Sequence, residues 1–146
     1  MALKNRTSKG RNTFEKIQLI LSSNGADKIM FDYKNGVVEA ITFSLTIEGK
    51  IMGFHLPALV ENVTEILYGG EDRWGRPKKI TDTQREQAYK TAWANIRDWI
   101  DAQLALVQTK QAKVQHIFLP YLIMKGGRTL AETIESNPAF LLGDVK

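Results

Sequence analysis

The apolar residues near the start of the chain recur with the period of a helix. Four of them share one helical face: Phe14, Ile17, Ile20 and Leu21. Asn12 can cap this helix, because Glu15 follows three residues later as in a capping box. Gly25 supplies a left-handed residue at which the helix can end. The pattern therefore predicts a first helix that starts at Asn12.

Between residues 29 and 56 the period changes to two, which is typical of strands with one buried face. Asn35-Gly36 predicts a tight hairpin, because both residues accept a positive φ angle, and residues 48–50 predict a second turn. The apolar positions are Ile29, Phe31 and Tyr33, then Ile41, Phe43, Leu45 and Ile47, then Met52, Phe54 and Leu56. We expect a three-stranded antiparallel β-meander whose opposite face carries small polar residues.

A short helix is predicted directly after the meander. Pro57 suits the first turn of a helix, and Gly69-Gly70 ends the segment. Its apolar residues are Val60, Val63, Ile66 and Leu67. We expect this helix and the first one to cover the apolar face of the sheet.

A long helix follows residue 80. Two overlapping pairs, Thr81 with Gln84 and Thr83 with Glu86, are candidate capping boxes. The segment from Gln84 to Thr109 contains no glycine or proline, and one stripe holds its large apolar residues: Tyr89, Trp93, Ile96, Ile100, Leu104 and Val107. Length, caps and period all indicate the same helix.

The last third of the chain is less regular. Residues 111–124 are either a short helix broken at Pro120 or an extended segment. Thr129 with Glu132 begins another short helix, and Pro138 begins a last turn. The predicted fold class is α+β: an N-terminal helix, a three-stranded antiparallel β-meander, a helix, a long amphipathic helix and short C-terminal helices.

Charge divides the chain into a basic leader and a neutral body. The net charge is +4, and residues 1–11 contain four basic residues and no acidic one. From residue 12 onward there are 16 basic and 16 acidic residues. We therefore predict a flexible basic arm at 1–11 and one globular domain at 12–146. The domain consists of a sheet-bearing half at 12–70, a linker loop at 71–80 and a helical half at 81–146.

Composition excludes several classes of protein. The chain has 146 residues and 43% hydrophobic residues, as in an ordinary globular domain. It has no cysteine, which excludes a disulfide framework, a zinc–thiolate site and a cysteine nucleophile, and which suits a reducing cytoplasm. No apolar run is long enough to predict a transmembrane helix, and the start lacks the apolar centre of a signal peptide. We expect a cytoplasmic protein without membrane contact.

No motif for catalysis, metal binding or phosphate binding is present. The histidines, His55 and His116, lack the spacing of a metal site, and a structural role is expected for both. His55 is expected on the polar side of the third strand, near Thr42 or Ser44. We predict no cofactor and no enzyme activity, although a cleft that joined His55 to a distant carboxylate would change that interpretation.

Basic residues supply the candidate site. They are Lys4, Arg6, Lys9 and Arg11 in the arm, Arg73, Arg76, Lys78 and Lys79 around Trp74 in the loop, and Lys125 and Arg128 near the end. Such groups can bind phosphates through counterion release, and Trp74 can stack on a base. The alternative interpretation is a solvated linker, with Trp74 folded back to cover an edge of the core. Glu71 and Asp72 offset part of its charge.

Two parts of the sequence resemble small proteins of unassigned role that bacteriophages and related mobile elements encode. In the rear half these are TAWANIRDWIDAQLALVQT, IFLPYLI and GRTLAET. In the front half they are GADKIMFDYKNG, ITFSL and FHLP, so the resemblance spans residues 13–135. It implies a setting in phage DNA replication or counter-defence, and it designates no functional residue.

Two functions fit these observations. The first is a non-enzymatic nucleic-acid-binding or nucleoprotein accessory protein, whose partner is DNA or RNA. The alternative is a protein–protein interaction module, an adaptor or inhibitor of a host or phage enzyme, which uses the long helix to bind a protein partner or a second copy.

Overall fold

The computed structural model describes the backbone of residues 2–137 and the side chains of residues 12–137. The fold is α+β, as predicted. Its elements are α1 Ala2–Ser23, β1 Ala26–Lys34, β2 Val37–Ile47, β3 Lys50–Pro57, α2 Val60–Tyr68, α3 Asp82–Gln108, α4 Val114–Ile117, a 3-10 turn Leu119–Tyr121 and α5 Leu130–Ser136. The last turn predicted at Pro138 lies outside the described residues.

Helix α1 starts earlier than its sequence pattern predicts. The backbone is helical from Ala2, so Asn12 is an interior residue and the prediction that it caps the helix is wrong. The physical reason is that residues 2–11 contain no proline and include good helix formers such as alanine, leucine, lysine and arginine, with Gly10 as the weakest position. The helix backbone therefore crosses the predicted boundary at residue 11. The flexibility of the arm stays a prediction.

The β-meander forms as predicted, with strand order β1-β2-β3. Asn35 and Gly36 have φ angles of 53° and 80°, the pair of left-handed residues that a two-residue hairpin requires. Glu48 and Gly49 repeat this geometry at the second turn, with φ angles of 53° and 79°. Both connections are short because each turn contains a glycine that adopts positive φ without strain.

The apolar face of the sheet forms the core. Phe43 and Phe54 stack across neighbouring strands with ring centroids 5.4 Å apart, and both are buried. Helices α1 and α3 cover this face with Ile17, Leu21, Trp93, Ile100 and Leu104. The prediction that the long helix has an apolar stripe is confirmed, and the stripe is used inside the protein.

Helix α2 differs from its predicted role. It packs against α3, its one buried residue is Thr64, and Ile66 is 84% exposed. Pro57 ends β3 rather than starting the helix, since the next amide, from Ala58, donates to the Glu39 carbonyl at 3.0 Å and prolongs the strand. Leu59 then turns the chain with a φ angle of 51°. Helix α3 and not α2 covers the sheet because the buried stripe of α3 is several turns longer.

Two capping boxes and one irregular segment complete the fold. Thr81 with Gln84 caps α3 and Thr129 with Glu132 caps α5, each through both reciprocal hydrogen bonds. Residues 111–124 combine the two predicted alternatives, because α4 and a 3-10 turn precede an extended piece. Phe118 between them is fully buried, with its ring centroid 5.1 Å from that of Phe43. This aromatic contact ties the segment to the core.

Candidate functional site

The loop at 71–79, which we call the basic loop, is an ordered hairpin between α2 and α3. Glu71 and Pro77 form an antiparallel bridge. The amide of Asp72 donates to the Arg76 carbonyl at 2.7 Å, and the amide of Lys78 donates to the Gly70 carbonyl at 2.9 Å. These bonds fix the backbone on both sides of the tip, so the loop is not an extended linker.

Asp72 organises the tip of the basic loop. Its Oδ1 accepts hydrogen bonds from the amides of Trp74 (2.8 Å) and Arg76 (3.0 Å), as in an Asx turn. Its Oδ2 lies 3.6 Å from Nε of Arg76. The Asp72 carboxylate, which is adjacent to the basic residues in the sequence, is therefore bound by groups within the loop itself. None of the ion pairs in the described part of the chain involves Arg73, Lys78 or Lys79.

Trp74 points into solvent at the tip of this hairpin. Its side chain is 69% exposed, so it does not fold back onto the core. The guanidinium of Arg73 lies over the indole ring, 5.6 Å from its centroid, within the range of a cation–π contact. The tip therefore presents an aromatic surface beside cationic groups that carry no strong internal partner.

Two other predicted basic residues, Lys125 and Arg128, lie in the segment before α5 and not in the basic loop. Arg128 donates to Ser136 Oγ at 3.1 Å and to the Glu132 carbonyl at 3.2 Å, which fixes it to the end of α5. Lys125 lies in the hairpin that precedes α5. The chain that enters this hairpin meets the outer edge of β3 through a bridge between Leu122 and Phe54. The side chains of Lys4, Arg6, Lys9 and Arg11 lie outside the described residues.

His55, Thr42 and Asp32 form a hydrogen-bonded row across the polar face of the sheet. Thr42 pairs with His55 in the strand register, as expected, and its hydroxyl lies 2.9 Å from both His55 Nδ1 and Asp32 Oδ2. The hydroxyl donates to the carboxylate, and its oxygen can accept Nδ1–H of His55 in the tautomer that carries a proton on that nitrogen. The structure thus joins His55 to a distant carboxylate, which sequence reasoning did not place.

This row does not have the order of a nucleophilic triad. In a triad the hydroxyl donates its proton to histidine, which takes it as the base. Here Thr42 donates to Asp32, so His55 is not the acceptor of the hydroxyl proton. No group of three histidine, aspartate or glutamate residues with metal-binding geometry occurs among the residues that the structure describes. The row links the three strands and is consistent with a structural role.

A groove that the sequence did not predict lies beside the hairpin end of β1 and β2. Its volume is about 790 Å³, and its aromatic lining consists of Phe14, Phe31, Tyr33, Tyr89 and Trp93. Tyr89 accepts a hydrogen bond from the Val38 amide at 3.2 Å, and burial raises the pKa of its phenol, which is therefore neutral at physiological pH. The spacing of the aromatic residues in the sequence predicted that they belong to the core. Spacing alone does not reveal that a groove remains between them.

Comparison with known proteins does not assign this fold a function. No family model, curated protein or solved structure matches it. The resemblance to phage proteins thus stays a prediction. Over the described residues, no helix has both the length and the apolar character to cross a membrane.

Proposed function

We propose that this chain is a non-enzymatic nucleic-acid-binding or nucleoprotein accessory protein, and that the basic loop binds single-stranded DNA or RNA. The observation that supports the proposal is the exposed indole of Trp74 beside Arg73 on an ordered hairpin. A pattern of helices and strands does not require a tryptophan in that place. Its exposure leaves a stacking surface that the fold does not use.

Single-stranded nucleic acid fits this surface better than a duplex. Unpaired bases offer free faces on which an aromatic ring stacks, whereas the faces of paired bases are covered by their neighbours. Arg73, Lys78 and Lys79 supply charge for the phosphates. Because Asp72 already fixes the tip, binding loses less conformational entropy than it would with a mobile loop.

The proposal includes the origin of the protein and its location in the cell. The resemblance to phage proteins supports a phage or mobile-element origin, and with it a location in the cytoplasm of the host cell. The absence of cysteine in the sequence agrees with that location. The arm residues Lys4, Arg6, Lys9 and Arg11 would add phosphate contacts to those of the loop.

The salt dependence of binding tests this function. For single strands, the logarithm of the binding constant falls with the logarithm of salt concentration by about 0.7 per phosphate contact. The double variant K78A/K79A should lower that slope by about 1.4, because it removes two lysines. The matched control, K34A/K50A, removes two exposed lysines from strand ends beside the two turns of the sheet and should leave the slope unchanged. Affinity for a labelled oligonucleotide that does not vary with salt would contradict the proposal.

The alternative function is a protein-interaction module. The apolar stripe of α3 packs into the core, so this helix offers a partner less surface than the sequence suggested. Helix α2 offers more, since Leu59 before it is 59% exposed and Ile66 within it is 84% exposed. If I66D abolishes capture of a protein partner and leaves oligonucleotide binding intact, the alternative is favoured.

A further inference from the structure

Strand β1 is an edge strand of the three-stranded sheet. It pairs with β2 on one side, and the hydrogen bonds of the described chain include no backbone partner for its other side. The opposite edge, at β3, is partly covered, because the Ile123 amide donates to the Gly53 carbonyl at 2.8 Å. An uncovered edge presents a row of amides and carbonyls that can pair with another strand.

Two irregularities bracket a regular stretch of this edge. The register between β1 and β2 shifts between Ala26 and Lys28 and again between Asp32 and Tyr33. Bulges of this kind twist an edge and stop pairing. The five residues 28–32 between them keep a simple register with β2, and Met30 at their centre is 56% exposed. The part of the edge fit for pairing is therefore centred on Met30.

The apolar face of the sheet is incomplete at this edge. Ile29 and Phe31 are half-buried, whereas their partners on β2, Phe43 and Ile41, are buried. Residues directly opposite each other in an antiparallel pair share a face of the sheet. A strand added beside β1 would thus place side chains next to Ile29 and Phe31 and complete the burial.

The charges of β1 select one partner and one register. Consider an antiparallel pair of β1 with β1 of a second copy, in which Met30 of one copy lies opposite Met30 of the other. Lys28 of each copy then lies opposite Asp32 of the other copy, and Ile29 of each copy lies opposite Phe31 of the other. Centring the pair on Phe31 instead sets Lys28 against Lys34, and centring it on Ile29 sets no opposite charges together. Opposite charges directly across a strand pair stabilise it and like charges destabilise it.

We propose that β1 pairs with β1 of a second copy of this chain about a two-fold axis at Met30, which joins two sheets into one of six strands. In the single copy Asp32 Oδ2 accepts from Thr42, and the other carboxylate oxygen has no partner among the described side chains, so it is available to Lys28. Five paired residues on each side make a small interface, so the dimer dissociates on dilution.

Cysteine cross-linking tests the axis, because the natural chain has no cysteine and gives no background. M30C sets two thiols opposite each other at the proposed axis. The matched control, I51C, sets a thiol at the 77%-exposed Ile51 on β3, on the same face of the sheet but on the opposite edge strand. Under mild oxidation of the full chain, we expect the disulfide dimer to form roughly tenfold faster for M30C than for I51C, as for thiols held at effective millimolar concentration.

Charge exchange tests the register in the M30C protein. K28E sets a second carboxylate against Asp32 and should slow the cross-link roughly tenfold, since two cross-strand pairs turn from attraction to repulsion. K28E also lowers the net charge from +4 to +2, which by itself would ease the approach of two copies. If only net charge controlled the cross-linking rate, K28E would raise it, whereas loss of the specific Lys28–Asp32 pairs would lower it. Adding D32K restores both the pairs and the net charge and should restore the rate.

The outcomes are distinct. Cross-linking that is faster at residue 30, slowed by K28E and restored by K28E/D32K supports the proposal. Equal rates for M30C and I51C, or a K28E protein that cross-links at least as fast as M30C alone, overturn it. Because D32K also removes the acceptor of Thr42, thermal unfolding establishes that the double variant is folded. If it is not, the comparison of M30C, I51C and K28E alone decides the result.

Discussion

Trp93 and Trp74 show how one side chain acquires two roles in the same fold. Trp93 is 1% exposed, its Nε1 donates to the Val38 carbonyl at 3.3 Å, and its ring meets Phe14 edge-on with centroids 5.0 Å apart. Trp74 is 69% exposed and contacts Arg73 instead. The neighbours differ because Trp93 lies on the apolar stripe of a helix, while the turn around Asp72 points Trp74 away from the core. The core tryptophan therefore stabilises the fold, whereas the loop tryptophan leaves its ring exposed to solvent.

The largest expected difference between the two is in stability. W93A should lower the free energy of unfolding by about 3–5 kcal/mol, because it leaves a cavity in the core and removes a hydrogen bond. W74A should change the free energy of unfolding by less than about 0.5 kcal/mol, as for other exposed positions. Urea denaturation of both variants beside the natural protein measures the difference. A W74A protein as unstable as W93A would show that the loop ring is part of the core.

A smaller effect is expected on the order of the basic loop. D72A removes the acceptor of the Trp74 and Arg76 amides, which should exchange with solvent roughly fivefold faster, as expected for about 1 kcal/mol of lost local stability. D72N keeps an oxygen at the same position and serves as the control, with exchange close to that of the natural protein. Hydrogen exchange followed by NMR resolves both amides. Unchanged exchange in D72A would mean that Asp72 does not fix the tip.

The smallest predicted effect concerns the pH dependence of the core. Burial raises the pKa of the Tyr89 phenol above its usual value of 10.0, so ionisation disfavours the folded state. Stability from Tyr89 is present below that usual value and is lost as pH rises through the folded pKa. In urea denaturation, the natural protein should exceed Y89F in stability at neutral pH, where Tyr89 accepts from Val38, and this excess should shrink above about pH 10. An excess that stays constant to about pH 11 would contradict the assignment.

The sequence predicted the regular parts of this fold because period and turn chemistry agree there. Asn35-Gly36, the Thr81–Gln84 cap and the stripe of α3 are local signals that the folded contacts reinforce. The start of α1 and the position of α2 were mispredicted. A possible cap at Asn12 does not stop a helix whose preceding residues also favour helix, and a helical stripe does not say which surface it meets.

The candidate site was predictable in composition and not in geometry. The basic residues around Trp74 are evident in the sequence, but the exposure of the ring depends on the bridge between Glu71 and Pro77 and on the hydrogen bonds to Asp72. Likewise, Arg128 is basic by composition, and only the structure shows it bonded to the end of α5. The row of Asp32, Thr42 and His55 joins three strands, which no local pattern can bring together.

Base stacking on Trp74 is the central claim, and one comparison of oligonucleotides tests it most directly. Affinity is measured for an oligothymidine and for an abasic strand of the same length, which has the same phosphates and no bases. The natural protein should prefer oligothymidine by about 1–3 kcal/mol, the contribution of stacking on one aromatic side chain, and W74A should lose the preference while it keeps its affinity for the abasic strand. Equal affinity of the natural protein for both strands, or a preference that W74A retains, would contradict the claim.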